Sequence, residues 1–358
     1  MFLKRIGSLQ SLLVKNKLDA LLISNPYNIF YTTGFKGLSP EDREAFAFAT
    51  QKKTYLITGK LYKPSYPNTL YFGPGKRLSY YILDIARKEK IKTIGIEGTD
   101  LKVSELEVLK KNLPTLTFTN TKNPIRELRA VKSNEEISAI KQACKISDEC
   151  FTEMARALKI GMTEREITLR IDRWMKDKGF DGAWYPPVVA VDQNAAVPHH
   201  DSRTSDVRIK KNSLLLIDMG AKYKEYVSDI TRMFVFGTPT NKIRNIYEKL
   251  LDVQIKTIKF IKKGMVGETV DSYCRKLLEK DKLPSHPHVT GHGVGLEVHE
   301  DPHITINSQQ LIQPGNAITV EPGVYFEGRF GMRIEDTILV TDSGTEILTK
   351  FPKKLRVL

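Results

Sequence analysis

The sequence predicts an α+β protein in two parts. A smaller α/β domain over residues 1–122 precedes a larger domain over 123–358, in which helices lie against a predominantly antiparallel sheet. Three observations lead there. A chain of 358 residues is long enough for about two domains. Before residue 122 short apolar runs alternate with amphipathic stretches, whereas beyond it two long helical patterns are followed mainly by strand patterns. Between the two regimes, residues 119–124 (Thr-Asn-Thr-Lys-Asn-Pro) read as a polar linker ending in proline.

Taken in order, strands are expected at 18–23, 45–49, 55–57, 70–72 and 93–96, with helical spacing at 6–14, 78–86 and 103–109. This first lobe holds no histidine and no catalytic constellation. In the second, Ser133 with Glu136 is a capping-box signature that opens a helix reaching about Leu158. Thr163 with Glu166 opens another, closing near Gly179. Strands follow at 188–191, 214–217 and 226–236, helices near 240–261 and 268–279, and last strands at 317–320 and 332–340.

Composition narrows the function classes. With 41% hydrophobic and 27% charged residues the chain reads as an ordinary soluble globular protein. No apolar run approaches the roughly 18 residues of a membrane span. Lys4, Arg5, Lys15 and Lys17 interrupt the N-terminal stretch, so no signal peptide is expected. Cys144, Cys150 and Cys274 are odd in number and form no CxxC, which argues against a disulfide scaffold or zinc knuckle. Small buried thiols in a reducing cytoplasm are the expectation. The formal charge of +14 comes from lysine pairs scattered along the chain, such as Lys52-Lys53, Lys210-Lys211 and Lys353-Lys354. Without an aromatic-interleaved basic stripe this reads as a solvated lysine-rich surface, not a nucleic-acid site.

All seven histidines lie between His199 and His303. Such clustering points to use of the ring nitrogens, because imidazole titrates and binds metal near neutral pH. Asp218 ends an apolar run and Asp229 lies within the next strand pattern, so a hairpin could place both carboxylates on one face. A solvated surface hairpin is the bland alternative. In Gly291-His292-Gly293-Val294-Gly295, three alternating glycines clear side chains from around one imidazole. Glu321 ends the 317–320 strand, and Glu335 sits within 332–340. By the period of two, Arg333, Glu335 and Thr337 share one face, where Arg333 can orient or screen carboxylates. Four carboxylates and one imidazole balance two divalent cations, with manganese or cobalt first and zinc or iron as alternatives. Two such ions activate a bridging water and clamp a carbonyl for hydrolysis.

The blocks LLLIDMGAKYKEYVSDITRMFVFG, HVTGHGVGLEVHEDP, ITVEPGVYF and GMRIEDTILVT resemble, in this order, the metal-binding segments of the Xaa-Pro peptidases. This is the proline aminopeptidase and prolidase branch of the pita-bread metallopeptidases. IRELRAVKSNEEISAIKQAC, LKIGMTEREI and LDALLISNPYNIFYTTGF are similar to the same branch, so the resemblance spans nearly the whole chain. It implies a creatinase-type N-terminal domain before a pita-bread catalytic domain. It also implies metal ligands Asp218, Asp229, His292, Glu321 and Glu335, and a catalytic set of His199, His288, His299, Glu321 and Arg333. Tyr325 matches a supporting position. His200, His286 and His303 match no functional position and are expected to be surface or structural. The implied activity is a cytoplasmic, homodimeric Xaa-Pro aminopeptidase. An Xaa-Pro dipeptidase is the alternative, and a metal-free binding protein on the same fold a remote one. The chain departs from the family's usual glycine at Glu225, from Ser-Gly at Val191-Asp192, and from Asp-x-Arg-Tyr at Gly59-Lys60-Leu61-Tyr62.

Overall fold

The computed structural model describes residues 2–39, 42–121, 123–183 and 185–358. Contacts divide the chain into two compact units, Met1–Arg129 and Ala130–Leu358.

In the first unit, helix α1 (Phe2–Lys15) leads into strand β1 (Ala20–Ile23) and helix α2 (Pro26–Thr33). Strands β2 (Ala45–Thr50), β3 (Thr54–Thr58) and β4 (Thr69–Tyr71) follow, then α3 (Leu78–Glu89), β5 (Thr93–Glu97), α4 (Val103–Asn112), β6 (Thr117–Thr121) and α5 (Pro124–Ala130). One mixed sheet, ordered β4-β3-β2-β1-β5-β6, joins the six strands. β1 is apolar throughout because it is central and buried on both faces. Ile82 and Ile85 of α3 and Leu109 of α4 close the core over Leu22, Phe48 and Ile94. Helix α2 has no counterpart in the sequence expectations, although its signals are all local. Asn25 accepts from the Tyr27 and Asn28 amides, Pro26 supplies the first turn, and Gly34 ends it at φ 75°. The expected linker at 119–124 is corrected: residues up to Thr121 complete β6, while Lys122 lies outside the described residues. β6 reads as polar because it is the sheet edge and is half exposed.

In the second unit, α6 (Asn134–Ala157) and α7 (Glu164–Asp177) open on the two expected capping boxes. Strands β7 (Val188–Val191), β8 (Leu214–Met219), β9 (Lys222–Tyr223), β10 (Tyr226–Val227) and β11 (Ile230–Val235) precede helices α8 (Asn241–Phe260) and α9 (Gly267–Lys280). The chain closes with β12 (Gly291–Gly293), β13 (Glu300–Ile304), β14 (Ala317–Val320), β15 (Gly323–Phe326), β16 (Phe330–Arg333), β17 (Asp336–Thr341), β18 (Gly344–Ile347) and β19 (Arg356–Val357). These form sheets β19-β11-β8-β7 and β13-β12-β14-β17-β18, plus the ribbons β9-β10 and β15-β16. Alternation along β8 decides the layers. Leu215, Ile217 and Met219 pack under α6 and α7 with Phe151 and Ile171. Leu214 and Leu216 pack toward α8 and α9 with Leu250 and Leu278, and Asp218 continues that second face.

Two expected strands are interrupted, and both breaks carry acids. The 226–236 pattern splits into β10 and β11, leaving Asp229 between them. The 332–340 pattern splits into β16 and β17, leaving Glu335 at the point where the chain passes from one sheet to another. Apolar alternation continues through each break, so it could not mark a change of strand partner.

β9 and β10 form a two-residue hairpin whose central residues, Lys224 and Glu225, have φ of 49° and 69°. This is the positive-φ turn that prefers glycine second, so Glu225 stands where the backbone favours glycine. Asp192, the other departure from glycine, has φ 49° and is held by accepting from Leu214 N and Ser213 Oγ, each at 2.8 Å. Glu225→Gly is therefore expected to stabilise the protein by about 0.5–1 kcal/mol. A higher urea midpoint with unchanged m-value checks this; a lower midpoint contradicts it.

Candidate metal centre

The acids converge from four backbone segments: β8, the β10–β11 break, the β14–β15 junction that carries Glu321, and the β16–β17 break. Asp218 faces Thr231 across the β8–β11 ladder. Asp229 lies two residues before Thr231, on the same side, and the Tyr185 hydroxyl bridges the pair, 2.7 Å from Asp218 Oδ1 and 3.2 Å from Asp229 Oδ1. Glu335 enters from the β16–β17 break and accepts from Thr231 Oγ1 at 2.7 Å. Thr337 Oγ1 donates to the Asp229 carbonyl at 2.8 Å. Arg333, Glu335 and Thr337 thus do share one face. Arg333 donates to Asp218 Oδ2, to Tyr325 Oη at 2.9 Å and to Thr231 Oγ1 at 3.1 Å.

His292 comes from β12, where the glycines allow the chain to be squeezed between β13 and β14. A Cβ on Gly293 would lie 2.2 Å from the Asp301 carbonyl oxygen, so no other residue fits without moving backbone. The Nδ1–H of His292 donates to the Gly293 carbonyl at 3.1 Å, which aims Nε2 at the acids. Nε2 lies 3.2 Å from Glu321 Oε1 and 3.9 Å from Asp229 Oδ2. Ligand atoms of Asp229, His292 and Glu335 all fall within 4.8 Å of one another. Asp218 and Glu321 flank this trio.

The electrostatics test whether cations fit. Burial first, then the neighbouring acids, pushes the Asp229 and Glu335 carboxyls well above the usual range. Burial opposes a charge on His292, yet hydrogen bonding to Glu321 and the nearby acids raise it to about 9. The same contact holds Glu321 at about 2 against its own burial. Deprotonated together, Asp218, Asp229, Glu321 and Glu335 would set four negative charges beside the Arg333 guanidinium, a charge that divalent cations would neutralise in place of protons, and oxygen donors with one imidazole suit hard or borderline metals. The residues fit such ions.

Above the acids a cavity of about 600 Å³ is lined by His199, His288 and His299, and also by His200, Arg203 and His303. His288 is fixed at both nitrogens, to the Val289 carbonyl at 2.7 Å and the Tyr325 hydroxyl at 2.8 Å. The His299 ring meets the His292 ring edge-on at 4.4 Å, and burial lowers it to about 4, so it is neutral near pH 7. His286 is buried and stacks on His288 with ring centres 4.8 Å apart. Tyr185 was missed from sequence; an aromatic before Pro186-Pro187 gives no hint of the two aspartates it touches. Thr231 and Thr337 were missed as well, though Thr337 is on the face that alternation defines.

A cavity floored by converging carboxylates and one imidazole, donors that fit divalent cations, defines a metal-dependent hydrolase as the class. The comparisons narrow it. Residues 138–342 match the model of Metallopeptidase family M24, and residues 5–131 that of the Creatinase/Prolidase N-terminal domain. The chain belongs to metallopeptidase family M24, with the pita-bread fold in its larger unit. An Xaa-Pro dipeptidase of Pyrococcus furiosus is 32% identical over 98% of this chain and 99% of its own length. Among solved structures, an Xaa-Pro dipeptidase from Bacillus anthracis has a TM-score of 0.93 at 29% identity, with both chains fully covered. An X-Pro aminopeptidase from Thermotoga maritima has a TM-score of 0.86 at 29% identity, covering 96% of this chain and 98% of that one. The family implies divalent metal ions. Among the described residues no helix is long and apolar enough to cross a membrane.

Proposed function

We propose that this protein is an Xaa-Pro dipeptidase that hydrolyses the bond before the proline of dipeptides. It would work with two divalent ions held by Asp218, Asp229, His292, Glu321 and Glu335. The observation that carries this reading is the full-length likeness to proteins named Xaa-Pro dipeptidase, joined to the convergence of these five residues beneath one cavity. The comparisons favour the dipeptidase alternative over the aminopeptidase reading that the sequence put first.

The scissile Xaa–Pro amide lacks an N–H, so the site must grip its carbonyl and termini instead. Bound ions would supply Lewis acidity and lower the pKa of a water. Glu321 carries a proton from the attacking water toward the departing proline nitrogen. His299, neutral through burial, donates a hydrogen bond to the developing oxyanion together with His199. His288, clamped by Tyr325, lines the proline pocket. Arg333 holds Asp218 in place. Arg203 lines the cavity wall paired with Asp201 at 2.8 Å, and would exchange that partner to meet the carboxylate of a terminal proline.

The test compares metal-loaded protein on Ala-Pro and Ala-Pro-Ala. Hydrolysis of Ala-Pro at about 100-fold higher kcat/KM is expected, since a tripeptide leaves the carboxylate contact unmade. The reverse preference supports the aminopeptidase reading, which the Thermotoga neighbour favours. Activity on neither substrate sinks both.

A further inference from the structure

His200, expected to be surface or structural, is half-buried at the cavity. Its ring lines the cavity, and Nε2 contacts Glu164 Oε2 at 2.8 Å. Glu164, the first residue of α7, is fully buried. Besides His200, it accepts from the Val191 amide at 2.6 Å and from Asn194 Nδ2, 3.0 Å from each oxygen. A buried carboxylate with several donors drawn onto it is a fixed hub, because losing any one leaves charge uncompensated. All of its side-chain donors belong to one stretch, residues 191–200, which carries His199 into the cavity. A carboxylate can only accept, so Nε2 bears the proton in this contact.

The stretch has few other ways to move. Behind it, a Cβ on Gly331 would lie 1.8 Å from the Ala195 carbonyl oxygen, so the loop is seated on β16, which ends at Arg333. On one side of His199, the Pro198 carbonyl faces Arg333 Nη1 at 3.4 Å. On the other stands His200. Resting on the dipeptidase reading, we propose that Glu164 and His200 are a positioning pair that sets the His199 imidazole over the reacting carbonyl. Glu164 organises the loop from below, and His200 ties its outer end to that buried hub.

The experiment is a variant set assayed on Ala-Pro, with hydrogen exchange read independently of catalysis. His200→Ala is expected to lower kcat/KM about 30- to 100-fold, mainly through kcat, at unchanged metal content. His200→Gln, whose amide can reach Glu164, restores most of the loss. Glu164→Gln loses a similar factor, and adding His200→Ala to it costs little more, because both changes break one contact. Amide exchange over residues 191–202 rises in His200→Ala and Glu164→Gln but not in His200→Gln. Wild-type kinetics in His200→Ala overturns the pair. So does unchanged exchange over 191–202 in both single variants. Wild-type protein that fails to cleave Ala-Pro overturns the dipeptidase reading instead, and the exchange data still decide the pairing.

Discussion

Asp229→Ala is expected to abolish bound metal and to lower Ala-Pro hydrolysis on the order of a thousandfold or more, because the several kcal/mol supplied by Lewis acidity vanish with the ions. Metal analysis after desalting and kcat measurement check this. Full activity would refute the ligand set. Stability should move the other way. In metal-free protein Asp229 is a buried acid held neutral by burial and by the charge on Asp218, so its removal relieves the cluster. Metal-free Asp229→Ala is therefore expected to melt no lower than chelated wild-type protein, which separates ligand loss from misfolding. The pH dependence follows with its sign. Asp229, Glu335 and His292 all have folded-state values raised above their unfolded ones. The stability they contribute is full at low pH and is lost as pH rises from about 4 for the carboxyls, and from about 6.5 for the imidazole, through the His292 value of about 9. Glu321, lowered to about 2, has the opposite slope but acts only in acid. Ions bind the deprotonated ligands, so loading with metal cancels the loss. The Tm difference between loaded and chelated protein should widen between about pH 6 and pH 9; a narrowing gap contradicts the assignment.

Arg232→Met is expected to cost about 3–5 kcal/mol of stability, the largest effect anticipated outside the acid cluster. The Arg232 side chain is 2% exposed and pairs with Asp336 Oδ1 at 2.7 Å. It also donates to the Phe351 carbonyl at 2.8 Å, the Thr231 carbonyl at 3.0 Å, and the Glu335 carbonyl. Methionine fills the volume but leaves Asp336 short of a cation and three carbonyls without their donor. Lys353, Gln254 and Thr349 still contact Asp336, so folding should persist at reduced stability. Because the Glu335 backbone loses its tether, metal affinity should fall about 10- to 100-fold as well. Guanidinium unfolding and a metal titration measure both quantities. A loss under about 1 kcal/mol would show that the buried pair merely breaks even with an apolar replacement.

Much of the second unit was legible locally. The capping boxes at Ser133 and Thr163 open their helices as written, since an N-cap hydrogen bond spans three residues and needs nothing distant. Alternation put Arg333, Glu335 and Thr337 on one face, and the glycines around His292 forecast a crowded backbone. What failed locally was partner choice. The breaks at Asp229 and Glu335 are invisible in hydrophobicity, because each half remains buried while it exchanges one neighbouring strand for another. An edge strand read as a linker for a related reason: β6 pairs on one side, and exposure asks for polar residues whether or not a ladder forms.

By itself the sequence determined which side chains could serve the chemistry, because residue type, local spacing and strand parity are encoded within a few positions of each other. Only the tertiary structure decided that Tyr185 joins Asp218 to Asp229, that Arg232 underlies Glu335, and that Glu164 holds His200. Those pairs stand 33 to 103 residues apart in the chain. Contacts of that separation form only once packing has fixed both partners, so no local pattern records them.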